Sequence, residues 1–94
     1  MKQMIEKATK HAAEIPLKIL SVSSKSLNII KDIMKHANEN SISDLAVAAE
    51  LLKSGSNGAI YNIKINIADL NSNIQKSFNE KIDYYNKINN DSYL

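Results

Sequence analysis

The chain has 94 residues, 12 of them Lys and none Arg, with 10 acidic residues and a formal charge of +2. That is enough for one small domain. The absence of Cys excludes a disulfide-stapled scaffold, a thiolate metal site and a cysteine nucleophile. A charge this small gives no electrostatic footprint for nucleic acid or a membrane surface, and no apolar run approaches the length of a membrane span.

Apolar residues make up 44% of the chain, which suffices for a core, so wholesale disorder is not expected. Two Gly and one Pro leave little turn chemistry and favour few, long elements. The N-terminus lacks a signal-peptide core, and the expectation is a cytoplasmic, mostly helical protein.

The first predicted element covers about residues 3–37. Ile5, Ala8, Ala12, Ile15, Ile19 and Val22 recur at steps of three and four, followed by Leu27, Ile30, Ile33 or Met34, and Ala37. This is one apolar helical face with a single slip near Ser26. Pro16 lies inside the pattern, removes a backbone donor and clashes with the carbonyl of Ala12, which predicts a kink or a break, the continuous apolar phase favouring one kinked helix over two.

A polar stop at residues 38–41 separates this element from the next. Ser41 is a candidate cap, with Asp44 an acid near the positive helix end. The second element carries Leu45, Ala48, Ala49, Leu52, Gly55, Ala59, Ile63, Ile67 and Leu70 at helical spacing. Within it Ile63-Lys64-Ile65-Asn66-Ile67 alternates strictly and follows Gly55-Ser56-Asn57-Gly58, so local signals favour a strand over 60–67 as much as a helix. The third element, about residues 71–89, puts Ile74, Phe78, Ile82, Tyr85 and Ile88 on one face of a helix. Residues 90–94 read as a fraying tail.

A helix of about 33 residues is roughly 50 Å long, whereas a compact globule of this size has a radius of gyration of about 12 Å. Such helices overhang any core the chain builds alone, which predicts an oligomer.

Most chemical motifs are missing. His11 and His36 are far apart in sequence and lack metal-ligand spacing, so no metal is expected. Gly55-Ser56-Asn57-Gly58 lacks the Lys-Ser/Thr of a phosphate loop, and the tyrosines have no basic stripe beside them for nucleic-acid stacking. What remains are the small polar residues Asn38, Asn40, Ser41, Ser43 and Asp44 at one helix start, and Asn62 and Asn66 four apart on a shared helical face. Their bland reading is a first-turn acid and an exposed amide pair. Their functional reading is a polar ligand, because buried amides need partners.

The order of these features carries a resemblance. Ala12-Ala13-Glu14-Ile15-Pro16-Leu17 precedes Asn38-x-x-Ser41-x-Ser43-Asp44-Leu45-x-Val47-Ala48-Ala49, and then Gly55-x-x-Gly58-Ala59-x-x-Asn62-Ile63-x-Ile65-Asn66-Ile67. Over about residues 5–70 the chain resembles the formimidoyltetrahydrofolate cyclodeaminase / methenyltetrahydrofolate cyclohydrolase family, specifically the C-terminal half of its domain. The family's Pro- and Gly-rich N-terminal segment has no counterpart in these residues. The resemblance implies an all-α bundle of long antiparallel helices over residues 1–94, helical through Ile67, acting as a homodimer with folate near the subunit interface. It implies a tetrahydrofolate derivative as substrate and no separate cofactor. Asp44 is then the candidate proton-transfer carboxylate, with Ser43 orienting it or the substrate. Asn62, Asn66 and Asn38 are candidate substrate-binding residues. Lys64 stands where the family often has Arg, a candidate for attracting the folate carboxylates without Arg's bidentate fork.

Overall fold

A computed structural model describes residues 2–90 as three α-helices, α1 (Lys2–Met34), α2 (Glu39–Ile67) and α3 (Ser72–Asn90). Among the described residues there is no strand. Residues 60–67 are helical, as the resemblance implied, and α1 runs through Pro16 as one helix. Asn90 closes α3, while the rest of the expected tail lies outside the described residues.

The long axis of the molecule is 57 Å and its cross-section 17 × 14 Å. That length barely exceeds the roughly 50 Å of α1 itself, so α2 lies alongside α1. The radius of gyration, 15.9 Å, exceeds the about 12 Å of a compact chain this long. Among the described residues no helix is long and apolar enough to cross a membrane.

The core forms where all three helices meet. Ala13 and Leu20 of α1 cluster with Ala59, Ile63 and Ile67 of α2 and with Phe78 and Ile82 of α3. Leu20, Leu27 and Ile63 are fully buried, each contributing about 1.5–3 kcal/mol relative to exposure. Along α1 the buried line is Ala13, Pro16, Leu20, Ser23, Leu27 and Met34. Leu27 and Met34 belong to the stripe read from the sequence, whereas the members of that stripe before Ser26 lie elsewhere.

Those earlier members point outward, in line with Ile29 and Ile33. Ile5, Ile15, Ile19, Val22, Ile29 and Ile33 are each 49–62% exposed. Helix α1 therefore carries two apolar seams, about 100° apart. The slip near Ser26 is the place where the sequence reading steps from the outer seam (Val22) to the inner one (Leu27). Helix α2 also carries two apolar seams, but on roughly opposite sides. Ala49, Ser56, Ala59, Ile63 and Ile67 are buried, while Val47, Leu51, Tyr61 and Ile65 are 62–74% exposed.

Both outer seams face away from α3. On α1, Leu17 packs against the core cluster, Ser24 Oγ donates to Asn89 Oδ1 at 2.8 Å, and Lys31 Nζ donates to the Ile88 carbonyl at 2.7 Å. These three residues, seven apart, form the line that meets α3. At 100° per residue the outer seam lies about half a turn from it. On α2, Ile60 and Ile67 pack toward the cluster, and Leu51, Gly58 and Ile65 lie about 160° away. Each of α1 and α2 thus keeps a bare apolar face that does not meet α3.

The helix ends explain the turns. The N-cap of α2 is Asn38, whose Oδ1 accepts from the Ser41 amide at 2.9 Å. This corrects the expectation of a Ser41 cap, and with Glu39 as the first-turn acid Asp44 falls in the second turn, beyond most of the dipole's reach. Asn71 caps α3 by accepting from the Ile74 amide at 2.9 Å. Gln75 Nε2 faces the carbonyls of Ile67, Ala68 and Leu70 at 2.9–3.0 Å, so two N–H groups serve three carbonyls at the α2–α3 turn, of which Ile67 also accepts from the Leu70 amide at 3.0 Å.

Candidate functional site

The sequence-predicted residues fall into two patches on α2. At its start stand Asn38, Ser43 and Asp44, all exposed. Near its end stand Asn62 and Lys64, exposed, and Asn66, partly buried. Asn66 Nδ2 donates to the Asn62 carbonyl at 2.8 Å, which leaves Asn66 Oδ1 and the Asn62 side chain for other partners. Asn38 is committed by its Oδ1 to the helix cap.

One rigid helix keeps the patches apart. Eighteen residues separate Asp44 from Asn62, about 27 Å at 1.5 Å per residue, and Asp44 and Lys64 are about 30 Å apart. No bound pterin spans that distance with one ring. The fold therefore assembles the members of each patch and does not bring the two patches together within one chain.

Two grooves adjoin the patches. An open one of about 630 Å³ at the α1–α2 connection is lined by Asp32, Ile33, His36, Ala37, Asn38 and Ser41. Another, about 440 Å³, lies between the end of α2 and α3 and includes Lys64, Gln75, Asn79 and Asp83. Both fall in the size range of small-molecule sites. Neither includes Ser43 or Asp44. A third, apolar depression of about 320 Å³ lies on the outer face of α2, one turn from Asp44, with Val47, Leu51 and Ser54 in its wall.

The sequence reading missed Asp32 and His36 as groove residues. They are four apart, hence on one face of the last turn of α1 and the turn after it, and they sit beside the Asn38 cap. Only the helix stop at Met34 and the cap at Asn38 bring that face to the groove, and neither is visible in the spacing of two histidines. Among the described residues no three His, Asp or Glu side chains gather into a metal-holding group.

Comparison with known proteins places this geometry in a family. A family model described as formiminotransferase-cyclodeaminase matches residues 1–84, nearly the whole three-helix unit. Formimidoyltransferase-cyclodeaminase of Rattus norvegicus is 29% identical over 72 residues, covering 77% of this chain, and the Mus musculus protein of the same name matches equally. The chain spans 13% of the length of each of these relatives. No solved structure matches. With the family match running over residues 1–84, the chain belongs to the formiminotransferase-cyclodeaminase family.

Proposed function

We propose that this chain serves folate one-carbon metabolism. It either cyclises 5-formimino-tetrahydrofolate to 5,10-methenyltetrahydrofolate or hydrolyses the methenyl form to 10-formyltetrahydrofolate. The observation that carries the reading is the family match over residues 1–84, which includes the Ser43-Asp44 pair and the Asn62–Asn66 segment. In the cyclisation, N10 attacks the carbon of the protonated formimino group and loses its proton, and the resulting amino nitrogen gains a proton and leaves as ammonia. In the hydrolysis, water adds to the methenyl carbon, loses a proton, and the ring C–N bond opens onto a protonated nitrogen. Both reactions move protons at one carbon, which suits a positioned carboxylate.

In this reading Asp44 carries the proton and Ser43 orients it. Asn62 and Asn66 hydrogen-bond the pterin through the groups their helix leaves open, and Lys64 draws in the folate carboxylates. Asn38 holds the start of α2 where Ser43 and Asp44 need it. Helices α1 and α2 form an antiparallel pair, and the protein works as a homodimer with no cofactor besides its folate substrate.

A second reading is a non-catalytic helical oligomer, or a half-domain that needs a partner chain. The roughly 27 Å between Asp44 and Asn62 favours it for the isolated chain. Following the methenyl chromophore after adding each folate separately distinguishes the two. The enzyme reading expects catalysed gain or loss of the chromophore, lowered at least about 100-fold by Asp44→Asn. Because Asp44 is exposed, that variant should shift stability by no more than about 0.5 kcal/mol. Absence of turnover with either folate overturns the enzyme reading.

A further inference from the structure

Each folate reaction takes one proton away and puts another on, and the two steps suit different side chains. The N10 or water that has just bonded to the carbon is positively charged and releases its proton readily to a carboxylate such as Asp44. The departing nitrogen, by contrast, needs an acid that still holds a proton near neutral pH. Side-chain carboxyls are ionised there, whereas imidazole is the side chain that titrates in that range.

The chain has two histidines, and the fold separates them. His11 is exposed on α1, where its Nδ1 meets Glu14 at 3.5 Å. His36 lies roughly 35 Å further on, in the α1–α2 connection, and lines the groove of about 630 Å³ together with Asp32, Asn38 and Ser41. The connection is short and held at both ends. The His36 amide donates to the Ile33 carbonyl at 3.1 Å and the Ala37 amide to the Met34 carbonyl at 3.4 Å. Met34 is buried, and Asn38 starts α2 two residues later. A side chain on such a turn is in place before a ligand arrives.

Asp32 precedes His36 by four residues, a spacing that puts both side chains on one face. One Asp32 oxygen lies 3.6 Å from Lys35 Nζ in an exposed pair, which is weak and does not commit the carboxylate. Lys35 and Glu39 flank His36 in sequence but line no part of the groove, and α3 contributes no residue to it. Asp44 stands one turn beyond the groove residue Ser41, about 5–6 Å away between Cβ atoms. An imidazole in one wall and a carboxylate just past the other therefore flank a space in the size range of small-molecule sites.

We propose that His36 is the catalytic acid at this groove, giving its proton to the nitrogen that leaves the reacting carbon, and that Asp32 positions it. This role rests on the folate reading above. In the cyclisation the His36 imidazolium protonates the amino nitrogen. The C–N bond breaks with its electron pair going to ammonia, and the N5 lone pair forms the methenyl C=N bond. In the hydrolysis the proton goes to N5 as its bond to the carbon breaks, and the hydroxyl sheds its own proton to solvent as the formyl C=O forms. Asp44 takes the proton lost by N10 or by the attacking water, and exchange with solvent resets both residues.

The methenyl chromophore, followed with each folate between about pH 5 and 9, tests this. His36→Ala should lower turnover at least about 100-fold, regain part of it when imidazole is added, and melt like wild type, since His36 is exposed. His36→Gln should be equally slow but deaf to imidazole, because its side chain fills the space, and His11→Asn should match wild type. The fall in rate on the alkaline side should vanish from the residual activity of His36→Ala. Asp32→Ala should lower kcat roughly tenfold at unchanged KM, and Asp32→Glu, which keeps the carboxylate, should restore most of it. Turnover by His36→Ala within about threefold of wild type, or an alkaline fall that survives the substitution, overturns His36 as the acid and leaves the folate reading standing. Equal loss in Asp32→Ala and Asp32→Glu overturns the positioning role alone. A wild type that turns over neither folate overturns the folate reading and this role with it.

Discussion

Ser24 and Asn89 meet across 65 residues of chain, Ser24 Oγ donating to Asn89 Oδ1 at 2.8 Å in a buried setting. The Asn89 Nδ2 beside it is buried with no hydrogen-bond partner. This contact pins the end of α3 to the middle of α1, next to the Lys31 bond to the Ile88 carbonyl. Ser24→Ala leaves Asn89 with an unpaired acceptor as well as an unpaired donor and should cost about 1–3 kcal/mol in urea unfolding. Adding Asn89→Leu should recover most of that loss, because both buried polar groups are then gone. A double variant as unstable as Ser24→Ala would show that the hydrogen bond does not set the cost.

Gln75 ties the end of α2 to the first turn of α3. Its amide serves the Ile67, Ala68 and Leu70 carbonyls, which no α2 amide can reach. Gln75→Leu keeps the bulk and removes the donors, so a loss of about 1–2 kcal/mol is expected. Hydrogen exchange should localise it, with faster exchange at the α2–α3 junction and little change near the α1–α2 connection.

Asn38 combines a cap with a candidate binding role, and the two can be separated. Asn38→Ala should lower stability by about 1 kcal/mol, while Asn38→Ser keeps the cap and should leave melting nearly unchanged. A weaker folate response in Asn38→Ser, at unchanged melting temperature, would assign the side chain to the ligand. An unchanged response would leave it as a cap alone.

Gly58 tests the bare face by the sign of its effect. In a lone chain Gly58→Ala should stabilise by about 1 kcal/mol, since the added Cβ meets nothing within 4 Å. Paired copies oppose this, because the methyl group intrudes between helices. Melting temperature should therefore rise in the dilute variant and depend less on concentration than in wild type. An equal rise at every concentration would show that no helix approaches Gly58.

The three helices were legible because each carries a sustained apolar repeat, and α3, with a single face, was read correctly down to buried Phe78 and Ile82. Helices α1 and α2 were harder for one reason, namely that each has two seams. In α1 the second seam shows up as the slip at Ser26. In α2 it shows up as alternation, for Ile63 and Ile67 are buried on the inner seam while Ile65 between them is 74% exposed on the outer one. A helix with apolar residues on two faces imitates the period of a strand. The cap moved from Ser41 to Asn38 because both residue types cap well and the pattern does not say where the first turn begins. Burial of Ser24 and Asn89 was not legible at all, since only tertiary packing brings two small polar residues 65 apart into contact.

The slender shape affects how mass and size are read. A rod of 57 × 17 × 14 Å drags more than a sphere of equal mass, so a single chain elutes early from a sizing column and imitates something larger. Stacking two such rods along their bare faces doubles the mass while barely lengthening the particle. Solution scattering should then show an almost unchanged maximum dimension and a thicker cross-section, whereas end-to-end association would lengthen the particle at constant thickness.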